Sequence, residues 1–286
     1  MRLFEREPRE PKRSPALRRS TLSLGDDFML DAGSSDLNWP SDLLGVSPIE
    51  HPQSPESRLI SDRPEMGGAI ESFRLLGHRL RTIQKTSGVK RVLITSSVPG
   101  EGKTVVAANL GIILARSSAR VLLVDADMRK PGSAGAFGVA SLPGLADWLE
   151  DRLTLSEALH RVDDYNLWTI PAGRPERNPG ELIQQPAMRQ LLESAAEKFD
   201  WVIVDSPPLN PFIDAHLLAG MSDTTVLVLR SGTTPRDVYE SSLKQLKGTT
   251  LAGVVLNGYE EPARSSYYSY YPTQSPTAGD KDRSAL

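Results

Sequence analysis

The chain of 286 residues has no cysteine, which excludes disulfides, thiol nucleophiles and thiolate metal sites. Its four histidines, His51, His78, His160 and His216, are scattered without ligand spacing, so no histidine-built metal centre is expected. Long apolar runs are missing too. The longest stretch, Val105 to Ala115, is broken by Asn109 and falls short of the roughly 18–20 residues that cross a bilayer. A chain that does not span a membrane is predicted. The opening stretch, MRLFEREPREPKRSPALRRS, lacks the apolar core of a signal peptide, and a cytoplasmic location is expected. A net charge of only −3 leaves no basic footprint, so nucleic acid is not an expected partner. Aromatic residues are also scarce, at 6%, yet four of the seven tyrosines, Tyr267, Tyr268, Tyr270 and Tyr271, crowd into the stretch SSYYSYYP. Pro262, Pro272 and Pro276 around them rule out long regular structure. These side chains have no core to enter.

What is present divides the chain in three. Residues 1–65 are rich in Pro, Ser, Asp and Arg with only short apolar islands, and they read as a disordered arm. Near residue 68 the texture changes. The stretch GGAIESFRLLGHRLRTIQK places Ile70, Phe73, Leu76, Leu80 and Ile83 at helical spacing, so an amphipathic helix opens a folded domain over residues 66–260. Short apolar runs follow at residues 92–95, 121–125, 167–170, 201–205, 225–230 and 254–257, separated by helical stretches. These predict an α/β fold, a mostly parallel sheet with helices on both faces. Residues 261–286 revert to Pro, Ser, Thr and Gly and read as a flexible tyrosine-rich tail.

The most specific chemical signal is RVLITSSVPGEGKTVVAANLGIILA, a strand running into a glycine-rich loop that an apolar helix leaves. That is the context of a phosphate-binding loop. Gly100 and Gly102 let backbone N–H groups turn toward phosphates, and the helix N-terminus adds its positive end. Lys103 is then expected on the β- and γ-phosphates, with the Thr104 hydroxyl on Mg²⁺. The general pattern has Gly where this chain has Ser97. The expected nucleotide-contacting set is Ser97, Val98, Pro99, Gly100, Glu101, Gly102, Lys103, Thr104 and Val105.

Two acidic elements accompany the loop. In VLLVDADMRKP, Asp125 and Asp127 leave a strand's carboxyl end, where open α/β sheets bind ligands. Strand alternation would let both reach the nucleotide side. In FDWVIVDSPPL a strand ends in Asp205, placed to hold hydrated Mg²⁺ or orient a nucleophile. Together these elements predict an ATP–Mg²⁺ site. Two further segments have simpler readings. Asn178, Pro179 and Glu181 fit a helix start, and Asn257 either reads an adenine edge or makes the turn before Gly258.

With these elements in order, the chain resembles the bacterial tyrosine kinases (BY-kinases) of capsular and exopolysaccharide synthesis, over about residues 68–272. The resemblance rests on SSVPGEGKT as a Walker A loop of the P-loop NTPases, VLLVDADMRKP as a Walker A′ element and FDWVIVDSPP as a Walker B element. LPGLADWLE, the PAG…NPGELI segment and the terminal tyrosines add to it. It implies an autokinase in which Lys103 binds ATP phosphates, Thr104, Asp127 and Asp205 serve Mg²⁺, and Asp125 accepts the tyrosine proton. It also implies that Tyr267, Tyr268, Tyr270 and Tyr271 are the phosphoacceptors. Partners implied are the cytoplasmic segment of a separate membrane polysaccharide co-polymerase as activator, a tyrosine phosphatase, and further copies of the chain. That activator would make the protein peripheral at the inner face of the membrane. The family's assembly helix reads Glu-x-x-Arg-x-x-Arg; here Glu71 and Arg74 fit, and Gly77 replaces the second Arg. Two alternatives share the nucleotide site: a ParA- or MinD-like positioning ATPase, whose loop carries an early Lys where this chain has Val98, and a catalytically weak scaffold of polysaccharide assembly.

Overall fold

Alternation along the central strands decides how the layers form. In strand β3 (Val121–Asp125), Leu122 and Val124 enter one apolar cluster while Val121 and Leu123 enter another, so both faces of the sheet are covered. In the computed structural model of the protein, residues 37–46, 48–49, 59–60, 67–137, 143–162 and 165–259 are described. Around β3 the order begins with β1 (Pro48–Ile49), helix α1 (Gly67–Ser87), β2 (Arg91–Ser96) and α2 (Lys103–Ala115). After β3 come α3 (Ser133–Ala136), α4 (Leu145–Leu149), α5 (Leu155–Ala158), β4 (His160–Val162) and β5 (Leu167–Ile170). The order ends with α6 (Pro179–Ile183), α7 (Pro186–Lys198), β6 (Trp201–Asp205), α8 (Asp214–Ala219), β7 (Thr224–Arg230), α9 (Arg236–Gln245) and β8 (Leu251–Asn257).

The strands form one sheet in the order β1-β4-β5-β3-β6-β2-β7-β8. Every pairing is parallel except β4 with β5. The predicted α/β, P-loop NTPase-like sheet is therefore observed. The short strands β1 and β4, one of two residues and one of three, carry no periodicity that a sequence reading could find.

Helix α2 is apolar all round, and its residues Val106 through Ala115 are buried. A helix with no polar face must be enclosed, and here α1 covers it. The contact is made at Gly77, where a Cβ would lie 3.4 Å from Ile113 Cγ2 and 3.6 Å from Leu114 Cδ2. Gly77 is thus a packing residue between two helices, while Glu71 and Arg74 pair on the exposed side. On the opposite face of the sheet, α7 lays Met188, Leu191, Leu192 and Ala195 into the other cluster. Met188, Leu191 and Leu192 each contribute about 1.5–3 kcal/mol by this burial.

The expectation of a disordered arm through residue 65 is corrected wherever that arm is described. Trp39 is buried, meets the Phe199 ring edge-on at 5.6 Å between centroids, and donates its indole N–H to Ser194 Oγ at 3.0 Å. Trp168 Nε1 donates to the Leu43 carbonyl at 2.8 Å, β1 pairs with β4, and the Ile60 amide donates to Asn109 Oδ1 at 2.7 Å. The apolar islands of this segment are too short to form elements alone, but they cover core surface that is already formed. The tail, residues 261–286, lies outside the described residues.

Candidate active site

Because the central strands run parallel, their carboxyl ends collect at one edge of the sheet, and three of them deliver the predicted chemistry. Strand β2 leads through residues 97–102 into α2. Gly100 and Gly102 take φ values of +86° and +90°, in the region that L side chains avoid. At Gly102 a second constraint applies, since a Cβ there would stand 2.1 Å from Asn257 Nδ2. Helix α2 begins without a side-chain cap, so its first N–H groups, with the positive end of the helix dipole, are left for an anion.

Lys103 extends from the first turn of α2 to Asp127, with Nζ 2.7 Å from Oδ2 and both side chains largely buried. Burial works against the charged ammonium, but the negative field of Asp205, Asp127 and Asp125 outweighs it and raises the Lys103 pKa. Lys103 is cationic at any physiological pH. Its neighbour Thr104 lies against the Walker A′ backbone, where a Cβ on Gly132 would be 3.3 Å from Thr104 Oγ1.

Asp125 and Asp205 are direct partners in the β3–β6 ladder, and neither is exposed. Their surroundings differ. Asp125 accepts three backbone N–H bonds, from Asp127 at 3.0 Å to Oδ1 and from Gly132 at 3.0 Å and Ser133 at 2.8 Å to Oδ2. Burial raises its pKa, and the N–H bonds from Ser133 and Gly132 pull the other way. Asp205 has neither oxygen in a hydrogen bond of ordinary geometry, although the Thr104 hydroxyl is near enough to favour its ionised form. Burial pushes Asp205 up to about 8 against the opposing pull of Lys103. A buried carboxylate with unused oxygens beside a threonine hydroxyl is the donor chemistry of a hard cation. The residues present fit Mg²⁺.

Asp125 and Asp127 both act on Lys103 through their charge but make different bonds. Strand β3 ends at Asp125 and the chain turns at once, so Asp127 reaches Lys103 while Asp125 serves its own loop. The Val98 N–H donates to Glu101 Oε2 at 2.9 Å, and Pro99 has none. Asn257 makes its turn, accepting the Gly258 N–H at 2.9 Å, and its Nδ2 donates to the Glu101 carbonyl at 2.8 Å. Both ends of its amide are engaged, which favours the turn over the adenine-edge alternative. Arg129 is held by Asp214 through Nε at 2.6 Å and stacks on Phe212 at 3.9 Å. Asn178 does start α6, with Pro179 in its first turn, but its side chain meets Glu181 Oε1 at 3.3 Å instead of capping an N–H.

Comparison with known proteins decides the family. A profile described as an AAA domain matches residues 89–234. The chain is 32% identical over 206 residues to Tyrosine-protein kinase YwqD of Bacillus subtilis (strain 168), covering 71% of this chain and 86% of the relative. The chain belongs to the bacterial tyrosine kinases. Tyrosine-protein kinase etk of Escherichia coli (strain K12) is 33% identical over 204 residues, and the chain spans 28% of that relative's length. The solved kinase domain of Escherichia coli tyrosine kinase ETK superposes with a TM-score of 0.68 at 30% identity, covering 74% of this chain and 84% of that domain. As a bacterial tyrosine kinase the chain is an enzyme of the protein-tyrosine kinase class. Among its described residues no helix is long and apolar enough to cross a membrane.

Three residues of the site were not legible in the sequence. Asn210 donates from Nδ2 to the Ser97 carbonyl at 3.1 Å, Asp214 fixes Arg129, and Thr234 donates to Glu101. All three lie outside the motifs, and only the fold brings them to the loops they brace.

Proposed function

We propose that this bacterial tyrosine kinase is an ATP-dependent autokinase that phosphorylates its own tyrosines Tyr267, Tyr268, Tyr270 and Tyr271 in capsular or exopolysaccharide synthesis. The proposed division of the chain is a kinase region over residues 66–260 followed by a substrate tail, with residues 37–46, 48–49 and 59–60 adding to the kinase region's packing. The observation that carries the reading is the unpartnered buried carboxylate of Asp205 beside the Lys103–Asp127 pair. Lys103 and the amides from Gly100 to Thr104 hold the ATP phosphates. Thr104, Asp127 and Asp205 would hold Mg²⁺, which when bound neutralises charge on the β- and γ-phosphates.

Asp125 takes a different role from the one that resemblance implies. Its three N–H bonds tie it to its own loop, so we assign it to anchoring the loop that carries Asp127. A loose phosphoryl-transfer transition state tolerates this, because positioning and charge stabilisation dominate over base strength. The Pro- and Ser-rich composition around these tyrosines suits a segment that reaches another subunit's site. Several phosphates there, each about −1.5 to −2 in charge, would repel one another and release the tail. A phosphatase then resets it, and a membrane co-polymerase supplies activation at the inner face of the membrane.

The test is incubation of the purified chain with ATP and Mg²⁺, alone and with the cytoplasmic segment of a candidate co-polymerase. Phosphorylated residues are mapped by mass spectrometry beside Lys103→Met. Phosphate on Tyr267 to Tyr271 that depends on Lys103 supports the autokinase. ATP hydrolysis without phosphotyrosine in either condition would replace it with the positioning ATPase or the scaffold.

A further inference from the structure

A carboxylate is an unexpected component of a loop built to bind phosphates, since its charge opposes the ligand's. Glu101 occupies that place and is only 1% exposed. Its side chain is folded into the loop, where Oε2 accepts the Val98 N–H at 2.9 Å and staples the loop across four residues. The other oxygen, Oε1, accepts the Thr234 hydroxyl and, at 3.4 Å, the Arg230 N–H. Thr234 Oγ1 in turn accepts that same Arg230 N–H at 3.1 Å. The main chain of Glu101 is tied as well, through the Asn257 donation to its carbonyl at 2.8 Å.

One residue of the loop is therefore fastened at both side chain and backbone, to the end of β7, to the turn before α9 and to the end of β8. A loop with two glycines at positive φ has many conformations open to it, and ordering it on ligand binding would cost affinity. Fastening it in advance removes that cost. Charge-assisted bonds to a buried carboxylate are the stronger kind, and both oxygens of Glu101 are engaged within the protein.

We propose that Glu101, held by Thr234, is a positioning residue that sets the curvature of the nucleotide loop, so that nucleotide affinity depends on the β7–α9 connection. The inference rests on the nucleotide reading of the loop. The experiment titrates ADP and ATP into the full chain and measures steady-state kinetics beside it. Glu101→Gln replaces one acceptor oxygen with a donor that faces an N–H or O–H, and Thr234→Val removes the hydroxyl while keeping the shape. Each is expected to weaken nucleotide binding and raise the KM for ATP about tenfold, the loss of one bond to a charged group. For Thr234→Val the value of kcat should hold within about threefold, because Thr234 touches only the brace and its loss leaves the reacting groups in place. Thr234→Ser restores the hydroxyl and should restore affinity, and the double variant should be little worse than either single one.

Unchanged nucleotide affinity in Thr234→Val, with the chain folded by circular dichroism, would overturn the proposal. Equal loss in Thr234→Ser would also overturn it, since packing would then be responsible. Direct titration keeps the two readings apart. A wild-type chain that binds nucleotide but makes no phosphotyrosine defeats the autokinase and leaves the brace standing if the variants weaken binding.

Discussion

The carboxyl ends of β3 and β6 place one aspartate each at the same level of the sheet, yet the two ends are built for opposite purposes. At the end of β3 the loop curls back so that Asp125 receives three N–H groups. At the end of β6 the chain proceeds into Ser206, Pro207 and Pro208, where prolines offer no N–H, and Asp205 receives no backbone N–H, only the nearby Thr104 hydroxyl. A buried acceptor with its bonds made stabilises the fold, whereas one without them costs stability until a ligand arrives. The difference teaches that burial alone does not mark a functional acid. What marks Asp205 is that its desolvation is offset only in part, by Lys103 and the Thr104 hydroxyl, and by no backbone N–H.

The largest expected effect removes the cation common to both ends. Lys103→Met should lower phosphotyrosine formation by about a thousandfold or more, as loss of a phosphate-stabilising group does, checked by mass spectrometry of the ATP-treated chain. The next pair separates the two aspartates. Asp125→Asn should destabilise the chain by about 2–4 kcal/mol, since the amide NH₂ must face backbone donors. Asp205→Asn should stabilise the nucleotide-free chain by about 1–3 kcal/mol while removing Mg²⁺-dependent nucleotide binding. Urea unfolding with and without Mg²⁺ and ADP checks both. Opposite signs support the comparison, and equal destabilisation would break it.

A pH series sharpens the same point. With Asp205 raised to about 8, the folded chain retains a proton that the unfolded chain has released above about pH 4. The contribution of this group to stability is present below that pH and is lost as pH rises through about 8. The melting temperature of the nucleotide-free chain should therefore fall over that window, and Asp205→Asn should flatten the fall. The smallest effect tests packing away from the site. Gly77→Arg should destabilise by about 1–3 kcal/mol through the α1–α2 contact, measured by thermal unfolding, with nucleotide affinity little changed.

Much of the fold was legible because the physics behind it is local. A run such as VLLVD or WVIVD can only be a strand buried on both faces, and SVPGEGKT ahead of an apolar helix can only turn as a phosphate loop turns. The predicted strand at residues 121–125 and the one at residues 201–205 match β3 and β6 residue for residue. The short strands β1 and β4 were not legible, nor was the packing of Trp39 and Leu59, because two- and three-residue pairings have no period. They form only against a surface already built. The different bonds of Asp125 and Asp127 were not legible for a related reason: the strand ends at Asp125, so alternation says nothing of the partners Asp127 takes beyond it.

The sequence by itself determined the layered α/β fold, the family, and the residue types at the three strand ends, since periodicity, glycine placement and motif order are written along the chain. Only the tertiary structure decided which carboxylate is satisfied and which is not. It also decided that Glu101 turns inward to Thr234, that Asn257 reaches the phosphate loop, and that Gly77 is a helix contact. Those outcomes depend on hydrogen bonds and packing between residues as far apart as Glu101 and Asn257, and no local pattern encodes which distant groups a fold will bring within 3 Å.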